Sequence, residues 1–337
     1  MAQWARKTQI GKETTAGTAV AATTVWRGPA SGLEDVREPV FVNEQVGIAI
    51  PSLRAYTPQI GGAWSQEATE ATFEQLPYIL QAGIKKVASP TNDAGSGASG
   101  KIWTFDVGLT SANTIQTYTI ETGDNQQAEE MEYSFVTDFT LSGERGQAVM
   151  MSSNWQGRQV KDTTFTNSLT VPTVSEMMAG NAALFIDDSG GTIGSTAKTA
   201  TLLSWQLNVT TGWRAKYVLD KNQLYFDYHY FDPATFAGEF SATYEYNAVG
   251  VAERGKWRDN KPRLIRLNVE GPALTTGGTG YQKKTLRIDM ATAYTKFDPI
   301  SDDDGNTVVT VTGRIGYSAT DTLGLKLIVV NELSALP

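Results

Sequence analysis

The only histidine of the chain is the side chain best suited to acid–base chemistry near neutral pH. His229 follows Asp227 in an alternating segment from Leu224 to Tyr230, which predicts that it lies on the polar side of a strand. The chain has no cysteine, and no serine in a nucleophile-elbow motif that His229 could activate. The pattern therefore favours an ordinary surface histidine over a catalytic base.

Without histidine or cysteine machinery, hydrolysis would require a pair of carboxylates at a defined separation. Two acidic groups are candidates, and neither has a distinctive spacing. Glu129, Glu130 and Glu132 open a predicted strand, and Asp302 to Asp304 lie in a predicted turn. Both groups are typical of solvated element ends, so the sequence predicts a non-enzymatic protein with no catalytic residues, no cofactor and no metal.

Two further segments have the composition of ligand-binding loops. The oxygen-rich stretch from Asp298 to Asn306 around Gly305 departs from the spacing of a calcium loop and favours a hairpin turn. The glycine-rich run Gly277 to Gly280 has no following Lys-Ser/Thr pair and lies between strands, so it does not predict a phosphate cradle.

The local basic cluster of the second half does not indicate a nucleic-acid patch. Lys283, Lys284 and Arg287 are offset by nearby Asp289, which favours a solvated face or ion pairs between subunits. The whole chain has a formal charge of −8 and a pI of about 4.9, and an acidic surface repels phosphate. The charge therefore argues against tight nucleic-acid binding and is compatible with the passage of DNA that is not held tightly.

The chain contains eight tryptophans, several of them in or beside strand patterns. A carbohydrate-binding platform would expose such aromatic residues, whereas a packed protein would bury them in its core and subunit interfaces. The sequence favours core and interface packing. The tryptophans concerned are Trp26, Trp64, Trp103, Trp155 and Trp205.

Alternation of apolar and polar residues is the dominant structural signal and predicts half-buried antiparallel strands. Two helices are predicted, over residues 72–84 and 246–258, and the stretch from Ser89 to Gly100 has the composition of a flexible loop. No signal peptide or membrane-spanning run is apparent, so we expect synthesis in a cytosol. The alternating segments include Tyr133–Leu141, Leu203–Val209, Leu224–Tyr230, Ile265–Val269, Leu286–Met290 and Leu323–Val329.

An internal repeat is indicated by matches at one constant offset. Gly62-Ala63-Trp64-Ser65 recurs as Gly238-Glu239-Phe240-Ser241, and 238 − 62 is 176. The same offset relates Tyr118-Thr119 to Tyr294-Thr295, and aligns later apolar positions. The sequence predicts a flexible N-terminal arm over residues 1–25 and two tandem β-domains over residues 26–175 and 176–337, each with one short helix. A single elaborated domain remains the alternative.

Several short motifs resemble those of the tail tube proteins of long-tailed phages, the major tail proteins. The strongest is the N-terminal stretch Gly11-Lys12-Glu13-Thr14-Thr15-Ala16-Gly17-Thr18-Ala19-Val20. Others are Thr122-Gly123-Asp124-Asn125, Ser153-Asn154-Trp155-Gln156-Gly157-Arg158 and the ending Val329-Val330-Asn331-Glu332.

The resemblance implies tail-tube-like β-sandwiches whose inner sheets join neighbouring subunits into a β-barrel around a DNA channel. It also implies stacked rings in a virion tail, contacts with the tape measure, tail terminator and distal tail proteins, and an arm or long hairpin that reaches the next ring. Because family rings are sixfold, a duplicated chain would form trimeric rings with pseudo-sixfold symmetry, and a single-domain chain would form hexamers.

Two other readings stay open at the level of sequence. One is a different tail or tube component, such as a distal tail protein or the inner tube of a contractile system. The other is a carbohydrate-binding β-domain. For a tube, the acidic composition predicts a channel face that is polar, neutral or acidic, and poor in lysine and arginine.

Overall fold

The structure is a computed structural model that describes residues 6–29, 31–220 and 223–337. These residues form a mostly β protein with two α-helices and large antiparallel sheets, which confirms the expected fold class at this level. The elements of the first half are β1 (Lys7–Lys12), β2 (Thr24–Trp26), β3 (Glu34–Arg37), β4 (Val40–Phe41), β5 (Ala55–Tyr56), β6 (Ile60–Glu70), α1 (Leu76–Gly83), β7 (Thr91–Asn92), β8 (Lys101–Asp106), β9 (Tyr118–Gly123), β10 (Ala128–Glu144), β11 (Met150–Gly157) and β12 (Val160–Thr163).

The second half repeats the alternation of strands, one helix and further strands. A 3₁₀ turn at Ala179–Asn181 precedes it. Its elements are β13 (Ala182–Asp188), β14 (Ala197–Lys198), β15 (Leu202–Thr210), β16 (Trp213–Lys216), β17 (Tyr228–Phe231), β18 (Ala237–Glu245), α2 (Ala248–Arg258), β19 (Arg263–Ala273), β20 (Lys283–Phe297), β21 (Ser301–Asp303), β22 (Asn306–Ile315) and β23 (Leu325–Asn331).

One antiparallel sheet runs through both halves of the chain, and we call it the main sheet. Its strand order is β3–β6–β11–β10–β15–β18–β22–β20. The halves meet where Asp138–Glu144 of β10 pairs with Ser204–Thr210 of β15. Among the described residues no pairing connects the outermost strands β3 and β20, so the main sheet has two open edges.

The strands β10 and β20 are long because each belongs to two layers. The first part of β10 pairs with β9 and β12, with β1 beyond β9, and its last part enters the main sheet. The first part of β20 likewise pairs with β19 and β23, with β13 beyond β19. A register shift marks the crossing in both strands, and in β10 it lies at Tyr133, whose φ is 56°.

The apolar core lies between these layers, and α1 is buried within it at every residue. The predicted helix over 72–84 begins only at Leu76, because the Thr72 hydroxyl accepts the Gln75 N–H at 3.2 Å and Pro77 starts the helix. The second helix begins after Asn247, whose side chain accepts the N–H groups of Val249 and Gly250. Both predicted helices are therefore present with shortened N-terminal ends.

The segment predicted as a flexible arm is part of the fold where the structure describes it. Residues 1–5 lie outside the described residues. Lys7–Lys12 forms β1, which pairs along its whole length with β9 and also with β2, and Ile10 is fully buried. The low apolar content of residues 1–25 suggested disorder, but backbone pairing and one buried carboxylate hold the described part of this segment, residues 6–25.

That carboxylate belongs to Glu13, inside the N-terminal motif. It is 2% exposed. Its oxygens accept hydrogen bonds from the N–H groups of Gly17 at 2.8 Å and Tyr133 at 2.7 Å, and from the hydroxyls of Thr117 at 2.7 Å and Thr119 at 3.1 Å. Glu13 thus closes the loop after β1 and satisfies the backbone at the bend of β10.

Two further predictions, one of a strand and one of a loop, differ from the folded chain. The alternation from Leu224 predicted a strand, but β17 begins only at Tyr228, because the side chain of Phe226 is buried in a separate aromatic cluster. The stretch from Ser89 to Gly100, predicted to be flexible, contains β7 and the buried Asp93. Tertiary contacts decide both cases.

The pairings of the two halves follow the same order, although one constant offset does not describe them. In the main sheet β6 corresponds to β18, so that Gly62 and Gly238 occupy equivalent positions 176 residues apart. After the helices β10 corresponds to β20. When the paired residues are traced from β6 through β11 to β10, and from β18 through β22 to β20, Asp138 is found to be equivalent to Lys296, at an offset of 158. Tyr118 and Tyr294 lie in strands that do not correspond, so that sequence match does not reflect equivalent positions.

The change of offset has a simple origin. Residues 84–117 separate α1 from β9, whereas only residues 259–262 separate α2 from β19. The longer segment contains β8, which pairs with β23 of the second half. The indole N–H of Trp103 donates to the Asn331 side-chain oxygen at 3.0 Å in this buried contact. The segment from 84 to 117 therefore completes a sheet of the second half.

Replacing Glu13 by glutamine should destabilise the protein by on the order of 2–3 kcal/mol, because an amide NH₂ would face buried donors that now share a charged acceptor. Urea denaturation of the variant measures this difference. The matched control is Glu67→Gln on an exposed position of β6, which should change the free energy of unfolding little. Equal effects of the two substitutions would contradict the organising role of Glu13.

Candidate functional site

One face of the main sheet presents polar side chains along almost every strand, and we call it the polar face. The opposite face of the same strands lies against the core with residues such as Trp64, Phe139, Leu207 and Phe240. The polar face is formed by Ser65, Asp138, Thr140, Ser142, Glu144, Ser152, Asn154, Gln156, Ser204, Gln206, Asn208, Thr210, Glu239, Ser241, Thr243, Lys296, Thr310, Thr312 and Arg314.

Side chains of the polar face bond to one another, mostly across neighbouring strands and in one case along β15. Such bonds use up donors and acceptors that would otherwise grip a passing polymer. The contacts are Ser65 Oγ to Asn154 Oδ1 at 2.7 Å, Asn154 Nδ2 to Asp138 Oδ1 at 2.7 Å, Thr140 Oγ1 to Asn208 Oδ1 at 3.0 Å, Gln206 Nε2 to Asn208 Oδ1 at 3.0 Å, and Thr243 Oγ1 with Thr310 Oγ1 at 3.0 Å.

The polar face carries more acidic than basic residues. Asp138, Glu144 and Glu239 are joined on this face by Glu34, opposite Ala63, and by Glu245, two residues after Thr243, whereas its basic residues are Lys296 and Arg314 on the two last strands. Lys296 is also paired with Asp298 at 2.6 Å. The basic residues therefore occur only near one edge, and these described strands present no continuous basic strip. Such a surface can lie beside an anionic polymer without binding it tightly.

His229 lies in an aromatic cluster rather than on an ordinary surface position. The centroid of its ring is 5.2 Å from that of Trp213, 5.6 Å from that of Tyr133 and 5.7 Å from that of Phe135. The hairpin β16–β17 folds back onto β10, which the alternation of residues could not show. Burial lowers the pKa of His229 and favours the neutral imidazole.

Arg158, the last residue of one tail-tube-like motif, joins three separate segments at this cluster. Its guanidinium lies 4.6 Å from the ring centroid of Tyr133 and donates to the carbonyl oxygens of Phe226 at 3.1 Å, Asp227 at 2.6 Å and Gly17 at 3.4 Å. The sequence analysis did not foresee this role. The motif itself is the only sequence signal that pointed to Arg158, because its partners are distant along the chain.

The acidic candidates have structural partners. Glu132 is buried and accepts from Lys161 at 2.9 Å and from Gln159 at 2.8 Å, so it is not a solvated strand end. Burial raises the pKa of the half-buried Glu129, with Asp162 adding to the effect. Asp302 accepts the Gly305 N–H at 3.1 Å in the tight turn between β21 and β22, which confirms the predicted hairpin turn.

The glycine-rich loop and the two lysines of the basic cluster likewise have partners within the chain. Asp93 accepts the N–H groups of Gly280 at 3.2 Å and Tyr281 at 2.8 Å, so a carboxylate of the chain occupies the Gly277–Gly280 loop. Lys284 pairs with Glu74 at 2.7 Å. Lys283 pairs with Glu270 at 2.8 Å, so these ion pairs form inside one subunit, where the sequence had also allowed pairs between subunits.

The tryptophans singled out in the sequence are all buried, which confirms the prediction of core packing. Trp64 and Trp103 are 1% exposed, and Trp26, Trp155 and Trp205 are at most 4% exposed. Trp64 packs against Trp26 and Trp155 with ring centroids 6.1 and 5.8 Å apart. These five side chains therefore cannot form an exposed platform for a sugar ring.

A scan of protein-family models and a search of curated proteins found no match to this sequence. No helix of the described residues has the length and apolarity needed to cross a membrane.

The single histidine allows a clean test of pH dependence. Because folding lowers the pKa of His229, the unfolded chain binds its proton more readily, and this histidine should make the folded state less stable as pH falls through about 6.5. We expect the melting temperature of the native protein to drop more between pH 7.5 and 5.5 than that of His229→Phe. The phenyl ring suits the aromatic cluster and cannot titrate. Parallel pH profiles of the two proteins would contradict the burial of this histidine.

Proposed function

We propose that the chain is a structural, non-enzymatic protein that assembles as stacked rings into the tail tube of a long-tailed phage. The observation that supports this proposal best is the main sheet, which combines one continuous polar face with two open edges. Open strand edges invite pairing with another chain, and a ring satisfies every edge without leaving a free end. The N-terminal motif adds support, because Glu13 and Gly17 within it hold the fold together.

We further propose that the chain is a tandem duplication of a tube-like β-sandwich. Each half contributes four strands to the main sheet, in corresponding order around a long strand that crosses between layers. The loops after β1 and β13 support this view. In both, a glycine at positive φ donates its N–H at 2.8 Å to a carboxylate, Gly17 to Glu13 and Gly194 to Asp187.

In the proposed tube the polar face lines the channel. DNA and a tape measure protein would pass a surface of hydroxyl and amide groups that are already bonded to one another. Each lysine or arginine contact with phosphate adds salt-dependent affinity, so the scarcity of such residues favours sliding over binding. The tail terminator and distal tail proteins would meet the ends of the tube in the virion. A different tail or tube component would share the same sheet and is distinguished by its position in the virion.

The duplication gives an expected stoichiometry. Because each chain supplies two sets of four strands, three chains should close one ring with pseudo-sixfold symmetry. Cryo-electron microscopy of the purified protein at high concentration, reconstructed without imposed symmetry, tests this directly. Six chains per ring would rule out the trimeric arrangement, and an absence of rings and tubes at any concentration would count against the tube function itself.

A further inference from the structure

The joint between the two halves is a complete example of how one tube-like sheet is joined to the next. Asp138–Glu144 of β10 pairs with Ser204–Thr210 of β15, so that Asp138 lies opposite Thr210 and Thr140 opposite Asn208. The chain that leaves β15 then forms the hairpin β16–β17, which folds over the preceding half and returns to β18. The joint therefore has two parts, an edge pairing and a covering hairpin.

The covering hairpin is held by specific contacts with the first half. The Trp213 indole N–H donates to the Gly83 carbonyl oxygen at 3.0 Å, and the Tyr217 hydroxyl donates to the Ile60 carbonyl oxygen at 3.3 Å. The Ile60 N–H donates to the Leu224 carbonyl oxygen at 3.0 Å. Trp213 and Phe226 are buried together with Tyr133 and other aromatic residues of the cluster. Trp213 and Phe226 of this hairpin thus find their cover on the half that precedes it, whereas Leu219 and Tyr228 stay exposed.

The first half has a corresponding hairpin that finds no such cover. Val40 pairs with Tyr56 in β4–β5, and Arg214 pairs with Tyr230 in β16–β17. Each residue of the second pair lies 174 positions after its counterpart in the first pair. Its apolar side chains are unusually exposed for a soluble chain. The exposed fractions are 62% for Phe41, 58% for Val46, 67% for Ile48, 73% for Ile50, 90% for Leu53 and 57% for Tyr56.

The opposite edge of the main sheet has the matching gap. Lys296 on β20 corresponds to Asp138 on β10. On the side of β20 away from β22, β19 pairs only as far as Thr292, and no described strand pairs there with residues 293–297 as β15 pairs with β10. Ile300 and Tyr317, near this edge, are 47% and 58% exposed. On the other edge, β3 corresponds to the end of β15. Val36 lies opposite Gly61 of β6, and Thr210 lies opposite Ala237, which is the position of β18 equivalent to Gly61.

We propose that the second half of a neighbouring copy of this chain covers the β4–β5 hairpin, in a contact that repeats the joint between the halves. Residues 296–300 of that neighbour pair antiparallel with residues 32–36, with Lys296 opposite Val36 and Asp298 opposite Glu34. The hairpin then lies over the neighbour's β20 and β22 within the same ring. This inference rests on the proposed ring, and it assigns the hairpin to a lateral contact, whereas the resemblance to tail tube proteins implied contact with the next ring.

The register also places charges together. Glu34 would face Asp298, which is an unfavourable pair, while Lys296 lies beside both and already contacts Asp298 at 2.6 Å. At the equivalent position, the joint between β10 and β15 within one chain has the neutral pair Thr140 and Asn208, whose side chains are hydrogen-bonded at 3.0 Å. The contact between chains is therefore weaker than the joint within the chain, as expected for an interface that forms only on assembly.

Disulfide trapping tests this register cleanly, because the natural chain has no cysteine. The variant Lys296→Cys with Val36→Cys should, after mild oxidation of assembled protein, give covalent dimers and trimers on a non-reducing gel. The matched control Asp138→Cys with Thr210→Cys occupies the corresponding positions within one chain and should give only a covalently closed monomer. Lys296→Cys with Asp35→Cys, whose side chains would point to opposite faces, should cross-link poorly.

Electron microscopy of the same samples separates the two levels of the proposal. Rings without covalent links between Lys296→Cys and Val36→Cys, with the intrachain control oxidised, would overturn the proposed register while leaving the tube function standing. Covalent links without rings would support the interface and overturn the tube. Unassembled protein with no links, beside an oxidised control, would overturn both.

A second variant tests the hairpin. Leu53→Asp should raise the protein concentration needed for assembly by about tenfold or more, because a charge would enter an apolar contact. Its monomer should keep the native melting temperature, since Leu53 is 90% exposed. The control Val171→Asp changes an exposed apolar residue of the connection between the halves and should assemble normally. Normal assembly of Leu53→Asp would overturn the hairpin contact.

Discussion

The pairing of β10 with β15 is the interaction on which the rest of the structure depends. Seven residue pairs from Asp138 to Glu144 join two four-stranded sheets into one, and they hold polar side chains of both halves on the same face. Because successive side chains of a strand point to opposite faces, a shift of one residue in this pairing would turn polar residues into the core. The register of one joint therefore sets the character of the whole polar face.

Buried carboxylates determine the loops around this sheet. Glu13 gathers the N-terminal loop, the hydroxyls of β9 and the bend of β10, and Asp187 accepts the N–H groups of Gly194, Ser195 and Thr196 after β13. Burial by itself would raise the pKa of Asp187. The hydrogen bonds of the loop lower that pKa by more than burial raises it, so it lies below its usual value. Charge that is fully bonded in this way stabilises backbone conformations that apolar contacts alone would leave open.

The two hairpins differ in burial because the two halves are covalently linked in one order, with the second half after the first. A hairpin on the second half always finds the first half beside it, at a high effective concentration, so Trp213 and Phe226 can be buried in the monomer. The hairpin of the first half precedes any such neighbour, and its large apolar residues stay exposed in the single chain. The two hairpins thus differ in the single chain, because only the second one lies over a preceding half.

Much of the fold could be read from local patterns. Alternation located most strands, because a half-buried strand must alternate, and apolar periodicity located both helices, which begin at Leu76 and Ala248 rather than at the predicted 72 and 246. The turn at Asp304-Gly305 was predictable from its residues, which accept positive φ. The correspondence of Gly62 with Gly238 was also visible, since both strands precede the helices and the spacing there is conserved between the halves.

What the sequence by itself determined is therefore the β class, the burial of the tryptophans and the acidic balance. The tertiary structure alone decided which strands correspond after the helices, because residues 84–117 shift the spacing and send β8 to the other half. It also decided that Glu13 anchors its segment and that His229 lies among aromatic rings. Those outcomes depend on contacts between residues more than 90 positions apart, which local periodicity does not encode.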